Sequence, residues 1–313
     1  MPTRQVAQPD ASTCSAYSAR LDEPLAGTAP VAATWLIIEQ PGPWGARALT
    51  ESHLDERVGA ALNARTAGTG VRIGLVRRVG HHVAAPAGSE RTVLISAPRP
   101  SGTTVRSLTV TDPRALLDLD FAALGQGRVD VGTAYHGQAI LVCTNGKRDR
   151  CCALLGRSLA QDVADTVRTQ EDLDVWEADH LGGHRFAPTA LVLSTGYLYG
   201  RLNAADALLA LERAAKGLIA TGSCRGRSLW SRPGQVADLA LRTEQAQYRA
   251  DGVEVTSERR LEDGRWEVEM LAAAARYRAV ISEHTAVQAR PESCGKDFGH
   301  PTQLRVDSLE PLP

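Results

Sequence analysis

Three cysteines and two histidines with the chemistry of metal ligands lie in one stretch near the middle of the chain. Cys143 is followed by the adjacent pair Cys151 and Cys152, and the imidazoles of His180 and His184 come later. The spacing is C-x8-C-x27-H-x3-H if Cys152 is the second thiol, and C-x7-C-x28-H-x3-H if it is Cys151. Two thiolates and two imidazoles are a donor set that Zn²⁺ accepts. They also suit a [2Fe–2S] cluster in which two Cys hold one iron and two His hold the other.

The better-known cysteine motifs do not account for these residues. The chain lacks both the short Cys-Cys spacing of classical zinc fingers and the Cys-x-x-Cys redox motif at this stretch. A third alternative is a thiol oxidoreductase that uses Cys151 and Cys152 at the start of a helix, where the helix dipole favours thiolate. It ranks below a metal site because a disulfide between adjacent cysteines is strained.

The predicted elements place the thiols at one edge of a sheet. An apolar strand at 138–144 carries Cys143 at its carboxyl end, where open α/β sheets place their chemistry. A helix at 151–169 follows, with Asp149 as its N-cap. The adjacent cysteines therefore lie in its first turn.

The histidines are predicted to lie on a loop at the same edge. This loop follows a strand at 172–180, and Gly182 and Gly183 permit backbone turns that a Cβ would block. A hairpin over 190–202 and a helix at 203–217, with Asn203 as its cap, complete the order β-α-β-loop-β-β-α. This order is the thioredoxin-like arrangement.

The whole chain is predicted to be an α/β protein of two thioredoxin-like lobes, each a mixed sheet flanked by helices. The second lobe carries the cluster, and a small α+β extension follows. The first lobe, with a strand at 35–39 and a helix at 48–68 capped by Thr50, is a candidate ligand-free copy. Cys14 is expected to have no role, and the tail from Ala289 to be irregular. The predicted divisions are a partly ordered lead-in (1–30), an N-terminal α/β domain (31–130), a thioredoxin-like metal-binding domain (131–224), and the extension with its tail (225–313).

Composition excludes several classes of protein. The chain has 313 residues, a net charge of −1 and 4% aromatic residues, so neither a basic surface nor a stacking platform for nucleic acid is expected. No apolar run approaches the roughly 20 residues of a membrane span, and the first residues lack the apolar segment of a signal peptide. We therefore expect a cytoplasmic protein with reduced thiols and with no nucleic-acid or membrane partner.

Two long motifs resemble a known family. CTNGKRDRCCALLGRSLA, from Cys143, and VWEADHLGGHRFAPTALVLSTGYLYGRL, which contains both histidines, are similar to the sucrase/ferredoxin-like family. EPLAGTAP, WLIIEQPGPWG and RGRS at 225–228 also resemble it, and so does SCGK at 293–296. The resemblance covers about residues 20 to 230.

The resemblance implies an electron carrier with a [2Fe–2S] cluster in a thioredoxin-like domain. Its ligands would be Cys143, Cys152, His180 and His184, with Cys151 as a substitute for Cys152. Two His ligands imply a pH-dependent potential in the range of roughly −150 to +300 mV. The partner would be a reductase or an acceptor protein. Glycosidase activity is not supported, because no carboxylate pair has a suitable context. Zn²⁺ on the same four residues remains the alternative.

Overall fold

The computed structural model describes residues 12–86 and 88–313. Within them, a ten-stranded mixed sheet is flanked by helices, and a separate four-stranded sheet lies near the C-terminus. The fold class is therefore mixed α/β, as predicted. No helix in this described part of the chain is long and apolar enough to cross a membrane.

The first part of the chain supplies half of the large sheet. Its strand β1 is apolar and buried along almost its whole length, as expected of a strand covered on both faces. The elements in order are α1 (Cys14–Arg20), β1 (Thr34–Glu39), α2 (Glu56–Thr66), β2 (Val71–Arg78), β3 (Arg91–Arg99), β4 (Gly102–Val110), a 3₁₀ turn (Pro113–Asp118), α3 (Phe121–Gly125) and β5 (Thr133–Ala134).

The second part supplies the other half of the sheet. It is the part that carries the predicted ligands. Its elements are β6 (Gln138–Cys143), a π-helical turn (Cys152–Gly156), α4 (Arg157–Val167), β7 (Leu173–Ala178), a 3₁₀ turn (His184–Phe186), β8 (Ala190–Val192), β9 (Tyr197–Tyr199), α5 (Ala204–Ala215) and β10 (Cys224–Arg227).

The two halves of the sheet have the same neighbour relations. The strand order is β10-β9-β8-β6-β7-β2-β1-β3-β4-β5. In each half the first two strands are parallel (β1 with β2, β6 with β7), the third pairs antiparallel with the first, and the fourth pairs antiparallel with the third. The halves meet where β2 pairs antiparallel with β7, so that Arg77 lies opposite Glu177. The division at 130 and 224 stays a prediction.

The C-terminal part packs on the large sheet through one helix. Its elements are α6 (Arg232–Glu244), β11 (Val253–Arg260), β12 (Trp266–Ala272), β13 (Ala275–Thr285), β14 (Arg290–Pro291), β15 (Phe298–Gly299) and β16 (Thr302–Leu312). On α6, Leu239 joins the core beneath β6 and β8, whereas Leu241 joins the core of the four-stranded sheet. A buried network fixes the helix: Asp238 accepts hydrogen bonds from the Tyr197 hydroxyl at 2.9 Å and from Arg242 at 2.9 Å.

Two sequence predictions about these elements are wrong. Helix α2 begins at Glu56 and not near Thr50, because the Asp55 carboxylate caps it by accepting the Arg57 N–H at 2.9 Å. The tail is not irregular. Strand β16 pairs with β13 along the edge of the small sheet, from Thr285↔Thr302 to Arg276↔Leu312.

A buried ion pair ties the two ends of the described chain together. The Glu23 carboxylate accepts hydrogen bonds from both Nε and Nη2 of Arg290, each at 2.6 Å, and from Arg185 Nε at 2.8 Å. The side chains of Glu23 and Arg290 are only 3% and 4% exposed. Burial raises the pKa of Glu23, but the hydrogen bonds and charges of the two arginines outweigh this effect, and the net pKa is lowered.

We predict that Glu23→Gln lowers the free energy of unfolding at pH 7 by about 3 kcal/mol, because it leaves two guanidinium groups without their carboxylate. The folded pKa lies below the unfolded value of roughly 4.3. The contribution of Glu23 is therefore complete above about pH 5 and is lost as the pH falls through the folded pKa. Urea unfolding of both proteins from pH 7 downward measures the difference.

Glu310→Gln is the matched control, since Glu310 pairs with Arg278 but its side chain is 50% exposed. This variant should change the free energy of unfolding by less than about 1 kcal/mol. A Glu23→Gln effect that is equally small, or that does not shrink toward acid pH, would contradict the prediction.

Candidate metal centre

Cys143 lies at the buried carboxyl end of β6. Residues Gln138–Cys143 run parallel to β7 in register with Leu173–Ala178, and five of the six are fully buried. The Cys143 N–H donates to Thr189 at 3.0 Å, and its Sγ lies 3.7 Å from the carbonyl oxygen of Asp179. The side chain is 1% exposed. The predicted position at the end of the strand is confirmed.

Cys152 comes close to Cys143 because Gly156 has no side chain. A Cβ on Gly156 would lie 2.0 Å from the carbonyl oxygen of Cys143, so the π-helical turn can pack directly on the strand end. Turns of this kind are frequent at functional sites. The hydrogen bond from the Cys152 thiol lowers the pKa of Cys143 well below its usual range and raises that of Cys152.

The histidine loop turns back over these thiols through two glycines in the left-handed region. Gly182 has φ 74° and Gly183 has φ 70°. The ring centroids of His180 and His184 are 6.0 Å apart, with the planes 30° from parallel. Arg225, fully buried behind the loop, donates to the Gly182 carbonyl at 2.9 Å. Burial lowers the pKa of Arg225 to about 9, although the negative charge of a Cys143 thiolate acts to raise it.

Each of the two imidazoles has one buried nitrogen with no hydrogen-bond partner among the described residues. These atoms are Nδ1 of His180 and Nδ1 of His184. The other nitrogen of His184, Nε2, lies 3.1 Å from the carbonyl oxygen of Glu292. A carbonyl only accepts, so Nε2 carries the proton and the Nδ1 lone pair of the neutral ring is free. Burial lowers the pKa of His184 and so favours the neutral form, although the charge of Asp149 acts to raise this pKa.

Cys152 and His180 thus both lie within hydrogen-bonding reach of the Cys143 thiol, and the His184 ring lies next to that of His180. The imidazole of His180 lies near enough to Cys143 to lower the pKa of that thiol further, and Cys143 in turn acts on His184 through its charge. Buried polar atoms are normally paired, and unpaired ones call for an explanation such as a missing ligand. Two thiols, the free Nδ1 lone pair of His184 and the unpartnered Nδ1 of His180 fit the donor set of a metal group.

A second donor group lies beside the first, and the sequence did not predict it. Cys14, Asp149, Cys151 and Cys294 present ligand atoms that all lie within 4.8 Å of one another, so this group could hold a metal ion. The thiols of the adjacent pair therefore point to different groups: Cys151 to this one and Cys152 to Cys143.

The electrostatics of the second group favour one thiolate. Cys14 and Ser15 donate to Cys151 Sγ, and these bonds lower the pKa of Cys151 to about 6 although burial raises it. The bond to Cys151 and burial raise the pKa of Cys14, and burial also raises that of Cys294. Cys14, which was expected to have no role, thus lies among possible metal ligands. Cys14 and Cys294 were not part of the predicted ligand set, and their presence was a hint of a second group. No spacing rule, however, links cysteines so far apart in sequence.

The fold and these groups define a mixed α/β protein with thiols gathered at the edge of a sheet. The chain belongs to the sucrase/ferredoxin-like family, whose model matches residues 25–226. The resemblance found in the sequence is thereby confirmed. No curated protein and no solved structure matches the chain. The match contains all four predicted ligands, whereas Cys14 and Cys294 lie outside it.

We predict that Gly156→Ala destabilises the protein by about 1–3 kcal/mol, because the new methyl group has to push the π-helical turn away from the Cys143 carbonyl. The control is Gly222→Ala, where a Cβ would meet nothing within 4 Å. Urea unfolding should show the loss for the first variant only. Equal stabilities of the two variants would show that the close approach is not needed.

Proposed function

We propose that this protein is an electron carrier that binds a [2Fe–2S] cluster through Cys143, Cys152, His180 and His184. The observation that supports it most is the pair of buried, unpartnered Nδ1 atoms beside two buried thiols. Thiolates on one side and neutral imidazoles on the other are the ligand set of clusters with one Cys₂ iron and one His₂ iron. When bound, such a cluster takes up and releases one electron at a time.

The spread of the donors favours two metal atoms over one. A single tetrahedral Zn²⁺ needs four donors at about 2.0–2.3 Å from a common centre. Among the described residues, the group with three or more ligand atoms inside 4.8 Å of one another is the one around Cys151 and not this one. The zinc alternative on the same four residues is therefore less well supported. A thiol oxidoreductase is disfavoured because the thiols of Cys151 and Cys152 take different partners.

The sheet supports a thioredoxin-like identity for the half that carries these residues. Around β6 it has one parallel neighbour and one antiparallel neighbour, followed by a second antiparallel strand. Helices α4 and α5 contact this half, and α5 contacts β6 and β8. The half around β1 repeats the strand pairing without cysteines at the end of its central strand. We infer that this half is a ligand-free copy of the half that carries the predicted ligands.

The exposure of the proposed ligands indicates where electrons would enter and leave the site. The two cysteines are at most 1% exposed, whereas the His184 side chain is 16% exposed. Electrons would therefore enter and leave on the histidine side. The Nε2–H of His184, bonded to Glu292, holds the ring orientation that points Nδ1 inward. The partner would be a reductase or an acceptor protein that docks there, in the cytoplasm.

We predict that protein purified without air is red-brown, contains iron and acid-labile sulfide in equal amounts, and gives an EPR signal when reduced. His184→Ala should lose most of the iron, because it removes one of two nitrogen donors. Cys151→Ser should keep the iron, since Cys152 is the thiol beside Cys143. Iron and sulfide analysis with EPR measures all three proteins.

His136→Ala is the matched control, because His136 is exposed and precedes the start of β6, whereas Cys143 is the last residue of that strand. It should keep the iron of the parent protein. A colourless parent protein without iron, prepared anaerobically, would contradict the proposed function. Equal iron in His184→Ala and His136→Ala would remove His184 from the ligand set.

A further inference from the structure

We propose that Cys14, Cys151, Cys294 and Asp149 bind one structural Zn²⁺, at a site separate from the one proposed for the [2Fe–2S] cluster. Three thiols and one carboxylate come together here from three distant parts of the chain. Neither Cys14 nor Cys294 lies in the segment that matches the family. The proposed site therefore joins Asp149 and Cys151, inside the matched segment, to two cysteines outside it.

The sulfur atoms already lie at nearly the distances that a tetrahedral ion requires. Cys14 Sγ is 3.5 Å from Cys151 Sγ and 3.6 Å from Cys294 Sγ, and the latter two are 3.2 Å apart. With Zn–S bonds of about 2.3 Å, tetrahedral geometry places the sulfurs roughly 3.8 Å from one another. The thiols need to move apart by only a few tenths of an ångström. All three are free thiols.

The carboxylate is held in place to supply the fourth donor. Asp149 Oδ1 accepts the N–H of Cys151 at 2.8 Å, and Oδ2 accepts the N–H of Cys294 at 2.9 Å. Oδ2 also lies 3.6 Å from Cys14 Sγ. The Asp149 side chain is fully buried. An ionised carboxylate has about four lone-pair sites, so two backbone bonds leave an oxygen lone pair available for the ion.

The chemistry of the donors selects Zn²⁺. Buried thiolates and a buried carboxylate are costly unless a cation neutralises them. Thiolate-rich tetrahedral sites select zinc or iron–sulfur groups, whereas oxygen-rich ones select Mg²⁺ or Ca²⁺. Because all four ligand atoms lie within 4.8 Å of one another, they enclose one ion and not several. Four protein ligands without an open position are typical of a structural zinc site.

The position of the ion explains what it would do. It would join the start of α1 to the residues before the π-helical turn and to the tail, across a sequence separation of 280 between Cys14 and Cys294. Two residues before Cys294, the Glu292 carbonyl accepts from His184 Nε2. Asp149 Oδ2 lies 3.8 Å from the same nitrogen. A zinc ion here would fix the groups that orient one proposed iron ligand.

The test is metal analysis of the full-length protein, purified without air and then given one equivalent of Zn²⁺. The parent protein should hold one zinc per chain after gel filtration. Cys14→Ser and Cys294→Ser should each lower retained zinc at least tenfold. Cys224→Ser, which alters a buried thiol outside both groups, should keep the zinc. Iron is measured in the same samples, so loss of the cluster and loss of zinc are separately visible.

A measurement on the unaltered protein covers the case in which a variant fails to fold. X-ray absorption at the zinc edge should show three sulfur neighbours near 2.3 Å and one oxygen neighbour near 2.0 Å. Two sulfurs with two nitrogens would place zinc at the other group and overturn the proposal. Absence of bound zinc would overturn it as well. So would a thiol count under denaturing conditions that is two lower than that of the reduced protein, since it would reveal a disulfide.

Discussion

The contact between the Cys143 carbonyl and Gly156 is the constraint on which the rest of the site depends. Strand β6 ends at Cys143, and the chain must return to that end with a second thiol. An ordinary side chain at position 156 would hold the turn away, because its Cβ would overlap the carbonyl oxygen. Glycine removes this obstacle. The π-helical turn then sets the adjacent cysteines so that Cys152 meets Cys143 and Cys151 meets Cys14.

The histidine loop and the second donor group are supported by buried charges at the same edge of the sheet. Arg225 holds Gly182 from behind, and Glu23 joins Arg185, next to His184, to Arg290 of the tail. Asp149 stands between the two groups, since its carboxylate bonds the amides of Cys151 and Cys294 and approaches His184. The N-terminal helix and the C-terminal tail therefore contribute to a site whose main residues lie in the middle of the chain.

Local signals in the sequence predicted much of this arrangement. The apolar run before Cys143 predicted β6, and the caps at Asp149 and Asn203 are confirmed by hydrogen bonds to Cys151 and Asp206. Sequence alone did not predict the second group, because Cys14 and Cys294 meet only after the sheet and the tail have folded. The strand β16 was also missed. Its pairing with β13 depends on a distant partner, and only Leu304 and Val306 show the alternation of a half-buried strand before Pro311.

In the proposed function, two imidazole nitrogens and two sulfurs share one cluster at the end of β6. Pulsed EPR of the reduced protein, with ¹⁵N incorporated in histidine, tests it most directly. We expect couplings from two directly bound nitrogens, which would be Nδ1 of His180 and Nδ1 of His184. An EPR-active protein that shows no coupling from a bound histidine nitrogen would rule out histidine ligands to the cluster.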